Sequence, residues 1–389
     1  MKDGRERAAA LREYLDGRRD RMVELLVELA SLESPTDVPE SQAPVQARLT
    51  RALEERGMRV RHLAGRLTGG LLYARPRRRL PSRPAQLLIG HSDTVWPIGT
   101  TATMPVSVED GRVRGPGTFD MKAGLVQGVF ALEALSALGL EPPATPIWII
   151  NSDEEIGSPE SIRWVRRAAQ RAARAFVLEP SYGAEGRLKT ARKGVGRFRV
   201  TVRGIPAHAG LDPTAGASAI VEMADVVLRL NALNDLERGT TLNVGTLRGG
   251  TRRNVVAAEA VAEVDMRVAT TEDGVNLTQV IRALKPRTPG TTIHVEGGLA
   301  TPPLERTDRN RALWCQAVVA GERLGLPLEE YAAGGASDGN TISQYTATLD
   351  GLGAIGDGAH ARHESVSVAG MSERAALLAE LLMAPVEQA

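Results

Sequence analysis

His91, Asp120, Glu154, Glu155, Glu179 and His360 are spread over a chain of 389 residues, yet each lies in a short segment suited to presenting a metal ligand. Leu87-Leu88-Ile89-Gly90-His91 reads as an apolar strand that stops at a histidine, with Asp93 two residues on. Alternation along extended backbone places His91 and Asp93 on one side, so the carboxylate can accept a hydrogen bond from the imidazole nitrogen not used for ligation. Gly115-Pro116-Gly117-Thr118-Phe119-Asp120 is a turn-rich loop that delivers a carboxylate just before an apolar helical stretch. Ile147–Ser152 reads as a buried strand and runs into Asp153-Glu154-Glu155-Ile156-Gly157. Three adjacent carboxylates repel one another and lose hydration near a sheet, a costly arrangement unless a cation sits close by. Ala175–Leu178 ends in Glu179-Pro180, and Gly356-Asp357-Gly358-Ala359-His360 closes the set.

Each segment also has a structural alternative. A histidine after an apolar strand can simply pack, an acidic cluster can cap a helix and fill its first turn, and glycines around His360 can make an ordinary turn. What favours chemistry is the coincidence. Several strands each end in an oxygen or nitrogen donor, in a chain whose strands alternate with helices, and active sites of such folds lie at the carboxyl ends of strands. The donors together indicate a two-metal hydrolase.

His-x-Asp-Thr-Val, Gly-Pro-Gly-x-x-Asp-Met-Lys, Asp-Glu-Glu-Ile-Gly-Ser and Glu-Pro, in this order, resemble the di-zinc peptidase family of glutamate carboxypeptidase (carboxypeptidase G type), acetylornithine deacetylase and succinyl-diaminopimelate desuccinylase. The resemblance covers nearly the whole chain and is nearest to the glutamate carboxypeptidase branch. It implies two Zn2+ ions, one held by His91, Asp120 and Glu179 and the other by Asp120, Glu155 and His360, with Asp120 bridging. Ligands without thiolate suit zinc, and Co2+ or Mn2+ can occupy the same donors. The resemblance makes Glu154 the general base and Asp93 the residue that orients His91; the adjacent Glu154 and Glu155 could exchange roles. It places the ligand four residues before a glutamate, here Glu364, which selects His360 over His363. His62 and His294 lie in segments without ligand partners.

The resemblance extends to a lid. Gly204–Gly210 is similar to a segment whose histidine, here His208, stabilises the tetrahedral oxyanion, often across a dimer interface, so a homodimer is implied. Asn254 and Arg267 match lid positions that bind a substrate carboxylate, for which the arginine fork is well shaped. Gly334–Asn340 resembles a glycine-rich substrate loop, with Gly335 among the binding residues; Ala336 stands where some relatives carry a hydroxyl, which weakens any transfer of desuccinylase specificity. The expected activity is a carboxypeptidase releasing a C-terminal amino acid such as glutamate from an N-acyl or peptidyl substrate with a free carboxylate. In the family, glutamate at the Glu179 position accompanies carboxypeptidases and deacylases, and aspartate dipeptidases. The rivals are an N-acyl-amino-acid deacylase using the same machinery and an inactive metal-dependent binding protein, which would have no need of Glu154.

Elements must carry these residues into register. Residues 5–30, 43–57, 124–140 and 160–174 read as helices, alternating with strands up to about residue 190, which indicates an α/β catalytic domain with a largely parallel sheet between helices. Strands at 198–202, 240–248, 255–269 and 291–296, with helices at 214–233 and 272–285, spell an inserted β-α-β-β-α-β two-layer lid domain. The expected segments are 1–192 (catalytic), 193–301 (lid and dimerisation) and 302–389 (catalytic). A formal net charge of +1 gives no general attraction to nucleic acid or membrane. The one dense basic run, Arg75–Arg79, reads as a solvated loop between strands. A single cysteine, Cys315, excludes an intramolecular disulfide and fits a reducing compartment. With no long apolar span and a charged N-terminus, the expected location is cytoplasmic.

Overall fold

A computed structural model describes residues 4–78 and 83–386. Within them the chain divides into two compact units, one of residues 4–78, 83–190, 306–332 and 337–386, the other of residues 191–305 and 333–336.

The first unit is built on a six-stranded sheet in the order Met58–Leu63, Leu71–Pro76, Thr145–Asn151, Ala85–His91, Ala172–Val177, Ala347–Leu349. The last four run parallel, and the first two form an antiparallel hairpin at one edge. Strands apolar on both faces require cover on both faces. Leu88, Trp148, Ile150 and Phe176 pack on one side with the helices Gly4–Asp16, Arg19–Ser31, Ala123–Ala137 and Val368–Met383. Their neighbours Leu87, Ile89, Ile147, Ile149 and Val177 face the other side, against Val165 and Ile342 of the helices Ile162–Ala169 and Asp338–Ile342.

The second unit has strands in the order Thr241–Gly249, Glu259–Val268, Gly194–Arg203, Thr292–Thr301, every neighbouring pair antiparallel. Phe198, Val200, Val202, Ala260, Ala262, Val264 and Met266 alternate inward to meet Met223, Val226, Leu230 and Ile281 of the helices Ala219–Asn231 and Thr271–Arg282. Chain order is strand, helix, strand, strand, helix, strand.

Three local expectations need correction. The helix read over 5–30 is two helices, because Gly17 and Arg18 break it between Asp16 and Arg19. The helix read over 160–174 stops at Ala169, and the next strand begins at Ala172; Arg174, which continues the helical charge pattern, lies buried in that strand. Its guanidinium reaches Gln86 and the carbonyls of Leu382, Ala384 and Pro385, partners that no local pattern reveals. Within the basic run, Arg75 and Pro76 belong to a strand, Arg77 and Arg78 follow it, and Arg79 lies outside the described residues.

The helix Ala123–Ala137 approaches the sheet closely. A Cβ at Gly124 would lie 2.1 Å from the carbonyl oxygen of Leu178, just before Glu179. Gly124→Ala is therefore expected to destabilise the protein by about 3 kcal/mol, the upper end of overpacking costs, because the obstacle is backbone rather than a movable side chain. Urea denaturation measures this; an unchanged midpoint contradicts it.

Candidate metal centre

Strand register assembles the site. His91 pairs level with Asn151, and Ile89 with Val177, so extending the second pairing by two residues brings Glu179 beside His91. His91 Nε2 lies 3.4 Å from Glu179 Oε1 and 3.3 Å from Asp120 Oδ1. The other oxygen of Asp120, Oδ2, lies 3.4 Å from His360 Nε2, which is 3.1 Å from Glu155 Oε2. Two groups of possible ligands result, His91 with Asp120 and Glu179, and Asp120 with Glu155 and His360, sharing Asp120.

Irregular backbone delivers the shared carboxylate. Gly117 has φ +69, Asp120 and Met121 depart from helical angles inside the turn Thr118–Lys122, and the Asp120–Met121 peptide is cis. Gly117 supplies the left-handed conformation that a side chain would strain. His360, at φ +61, adopts the same region without being glycine.

The three adjacent carboxylates have different surroundings. Asp153 Oδ2 accepts from the backbone N–H groups of Glu160 and Ser161, just before the helix Ile162–Ala169, so it fastens the approach to that helix rather than capping its first turn. Glu155 points an oxygen into the second donor group, whereas Glu154 belongs to neither. Burial, reinforced by Glu179, Asp338 and Glu155, pushes the Glu154 carboxyl well above the usual carboxylate range.

Asp93 is fully buried and holds more than His91. The imidazole Nδ1 makes its shorter contact, 3.0 Å, with the carbonyl oxygen of Asp93, and its carboxylate stands at 3.4 Å. This corrects the expected carboxylate bond: the strand ends at His91, so alternation does not extend to Asp93. The carboxylate instead accepts from Thr36 Oγ1 at 2.7 Å and from the N–H groups of Glu155 and Glu154 at 3.2 and 3.4 Å.

The donors fit divalent metal. His91 Nε2 and Glu155 Oε1 are enclosed polar atoms without a hydrogen-bond partner, which is costly unless another species completes them. Burial opposes a charged His91, but Asp120, Asp93 and Glu179 outweigh it and hold the imidazole well above its ordinary value. Asp120 and Glu155 hold His360 up to about 10. Burial raises Asp120, yet His360 and His91 pull it below the carboxylate range. These are imidazoles and carboxylates aimed at common points, and dications satisfy such a set better than protons.

The remaining histidines lie elsewhere. His363 Nε2 stands 3.8 Å from Asp357, outside both groups, His62 Nε2 meets the Gly69 carbonyl at 2.9 Å, and His294 faces Glu296. His208 is exposed in the second unit, where its Nδ1 accepts from the N–H groups of Gly210 and Leu211. That arrangement puts the imidazole proton on Nε2, leaving an outward donor. Ala209 N–H binds the Asn254 carbonyl, bringing those two segments together. Arg267 is paired bidentately with Asp265 at 2.8 and 3.1 Å, so only the Nη1–Nη2 end of its fork is open for another carboxylate. A Cβ at Gly335 would meet open space, so steric need does not require glycine there.

Sequence reasoning passed over three buried groups. Lys122 is fully enclosed, donates to the Leu32 carbonyl, and is lowered by burial to about 8. Asp338 accepts from Asn151 and Ser158 at 2.7 and 2.6 Å, and burial raises it to about 6. Glu364, noticed only as a marker for His360, is fully buried. The sequence signal for Lys122 is a charge at the head of the apolar stretch Ala123–Val126; the polar surroundings of Glu364, Arg362 and His363 among them, offer none.

Among solved structures, aminopeptidase PepT from Bacillus cereus ATCC 10987 matches with a TM-score of 0.77 at 22% identity, over 94% of this chain and 98% of that one. A dinuclear metal-binding peptidase of the M20 family from Bacillus subtilis matches with a TM-score of 0.73 at 15% identity, over 95% and 98%. Those two likenesses bear on the fold. In sequence, the chain is 28% identical over 302 residues to carboxypeptidase G2 of Pseudomonas sp. (strain RS-16), covering 76% of this chain and 73% of that protein. Residues 87–384, which contain every member of the two donor groups, match the model of peptidase family M20/M25/M40, and the chain belongs to that family.

Proposed function

We propose that this chain is a two-metal amidohydrolase acting as a carboxypeptidase, releasing a C-terminal amino acid, glutamate first among candidates, from an N-acyl or peptidyl group. The supporting observation is the division at Asp120, with one oxygen toward His91 and the other toward His360, while Glu154 stands outside both groups. His91, Asp120 and Glu179 would hold one ion and Asp120, Glu155 and His360 the other, zinc being the proposed metal. When bound, a pair of dications acidifies water and polarises an amide carbonyl.

The chain's own residues do the rest. Glu154 takes a proton from the attacking water and returns it to the departing amine nitrogen. Asp93 fixes His91 Nδ1 and so aims Nε2 at the donor group. His208 donates from Nε2 to the oxyanion formed at the carbonyl, an interaction that strengthens as charge develops. Asn254, Arg267 and the loop at Gly335 bind the free carboxylate of the substrate. Residues 193–301 would form the lid and dimerisation domain of a homodimer between the catalytic segments 1–192 and 302–389. A cytoplasmic setting agrees with the lone, exposed Cys315; no helix among the described residues is long and apolar enough to cross a membrane.

Hydrolysis of N-acyl and peptidyl substrates by protein loaded with zinc, cobalt or manganese tests this reading. Free glutamate is the expected product, and no amino acid released from any of a broad panel rejects it. Amidating the substrate's free carboxylate should lower kcat/KM roughly 10- to 100-fold, as expected for a lost charge-assisted hydrogen bond of about 1.5–3 kcal/mol. Arg267→Ala should lose a similar factor on the acid and nothing further on the amide. Equal rates on acid and amide eliminate the carboxylate clamp.

A further inference from the structure

Glu364 uses one buried carboxylate to hold three segments of the metal centre. Its Oε1 accepts from Phe119 N–H at 2.8 Å and Asp120 N–H at 3.0 Å. Its Oε2 accepts from Gly117 N–H at 2.9 Å and Trp96 Nε1 at 2.8 Å. The four lone-pair directions of a carboxylate are thus filled. Its backbone is engaged as well: the carbonyl accepts from Gly115 N–H, and its own N–H donates to the Ala361 carbonyl, closing the turn 361–364 that follows directly after His360. Lys122, enclosed beneath the loop, supplies a nearby opposite charge.

This arrangement distinguishes the two donor groups. His91 and Glu179 are set by strand register. His360 is half-exposed, sits at positive φ, and reaches Asp120 from a loop that the Glu364 side chain ties to the Asp120 loop, beside the pairing of Ser365–Ser367 with Arg112–Arg114. We propose that Glu364 is a positioning residue: by binding the Asp120 loop with its side chain and closing with its backbone the turn that directly follows His360, it sets the spacing, and hence the affinity, of the Asp120–Glu155–His360 position. The inference rests on the two-metal reading above.

The substitution Glu364→Gln tests it sharply. The amide nearly preserves size, but whichever way it turns its NH2 faces two N–H donors. Metal-free wild type, Glu364→Gln and the benchmark His360→Ala are titrated with Co2+ alone, following absorption and bound metal by equilibrium dialysis. Wild type is expected to bind in two phases; Glu364→Gln should weaken the second by roughly 10- to 100-fold, the usual cost of losing a residue that orients a ligand, and leave the first nearly unchanged. Its kcat should fall with KM kept, and excess metal should restore it, which a general loss of folding would not produce. Trp96→Phe, which removes only one of the four donors, should shift the same constant in the same direction by less, and decides the matter should Glu364→Gln not fold. Wild type with two ions, and variants that hold both as tightly or lose both equally, overturn this inference alone. A wild type that binds a single ion overturns the two-metal reading and this inference together.

Discussion

Glu154→Gln is expected to retain both metal ions and lose roughly 10²- to 10⁴-fold in kcat, the range that a positioned general base contributes. Glu154 lies outside both donor groups, so the amide removes proton transfer without removing a ligand. The change also takes one negative charge from a crowded set, since Glu179, Asp338 and Glu155 all disfavour an ionised Glu154. Thermal stability of the metal-free variant should therefore be equal to or above that of wild type, which separates lost catalysis from lost folding. Metal analysis and turnover on one preparation decide the matter. Near-wild-type turnover with both ions bound sinks the assignment and returns Glu155 as the alternative.

Removing the shared carboxylate should have the largest effect on metal content. Asp120 presents one oxygen to each donor group, so Asp120→Ala takes a ligand from both positions and a charge from between two dications. His360→Ala touches one position only. After exhaustive dialysis, His360→Ala is expected to keep about one ion and Asp120→Ala close to none, with activity absent in both. Equal retention by the two variants argues against a bridge. Re-addition of zinc should fill one position of His360→Ala without restoring turnover, because water activation and carbonyl polarisation need both.

Much of this was legible because the chemistry follows the hydrophobic pattern. Ile89, Ile149 and Val177 mark buried strands, and a candidate ligand comes just after each run, so local reading finds His91, Glu155 and Glu179 together. The second unit's alternation, with Val200, Val202, Ala260 and Ala262 turned inward, gives its element order equally well. What local reading misses depends on distant partners. Arg174 looks helical until Gln86 and the C-terminal carbonyls explain its place in a strand. Glu364 looks like a marker for His360 until four donors from residues 96 to 120 converge on it. The Arg267–Asp265 pair was within reach, since residues two apart on a strand share a face, and it qualifies the clamp expected of that arginine.

The order in which the donors occur along the chain has a consequence for biosynthesis. His91, Asp120 and Glu179 all precede the second unit, whereas His360 follows it. A growing polypeptide thus carries the whole first donor group long before the second is complete. A product truncated anywhere between residues 180 and 359 contains one full candidate donor group and two of the three residues of the other, and it lacks Glu364 as well. On the two-metal reading proposed above, such a fragment lacks a donor of the second group, so the pair of ions waits on the segment that carries His360.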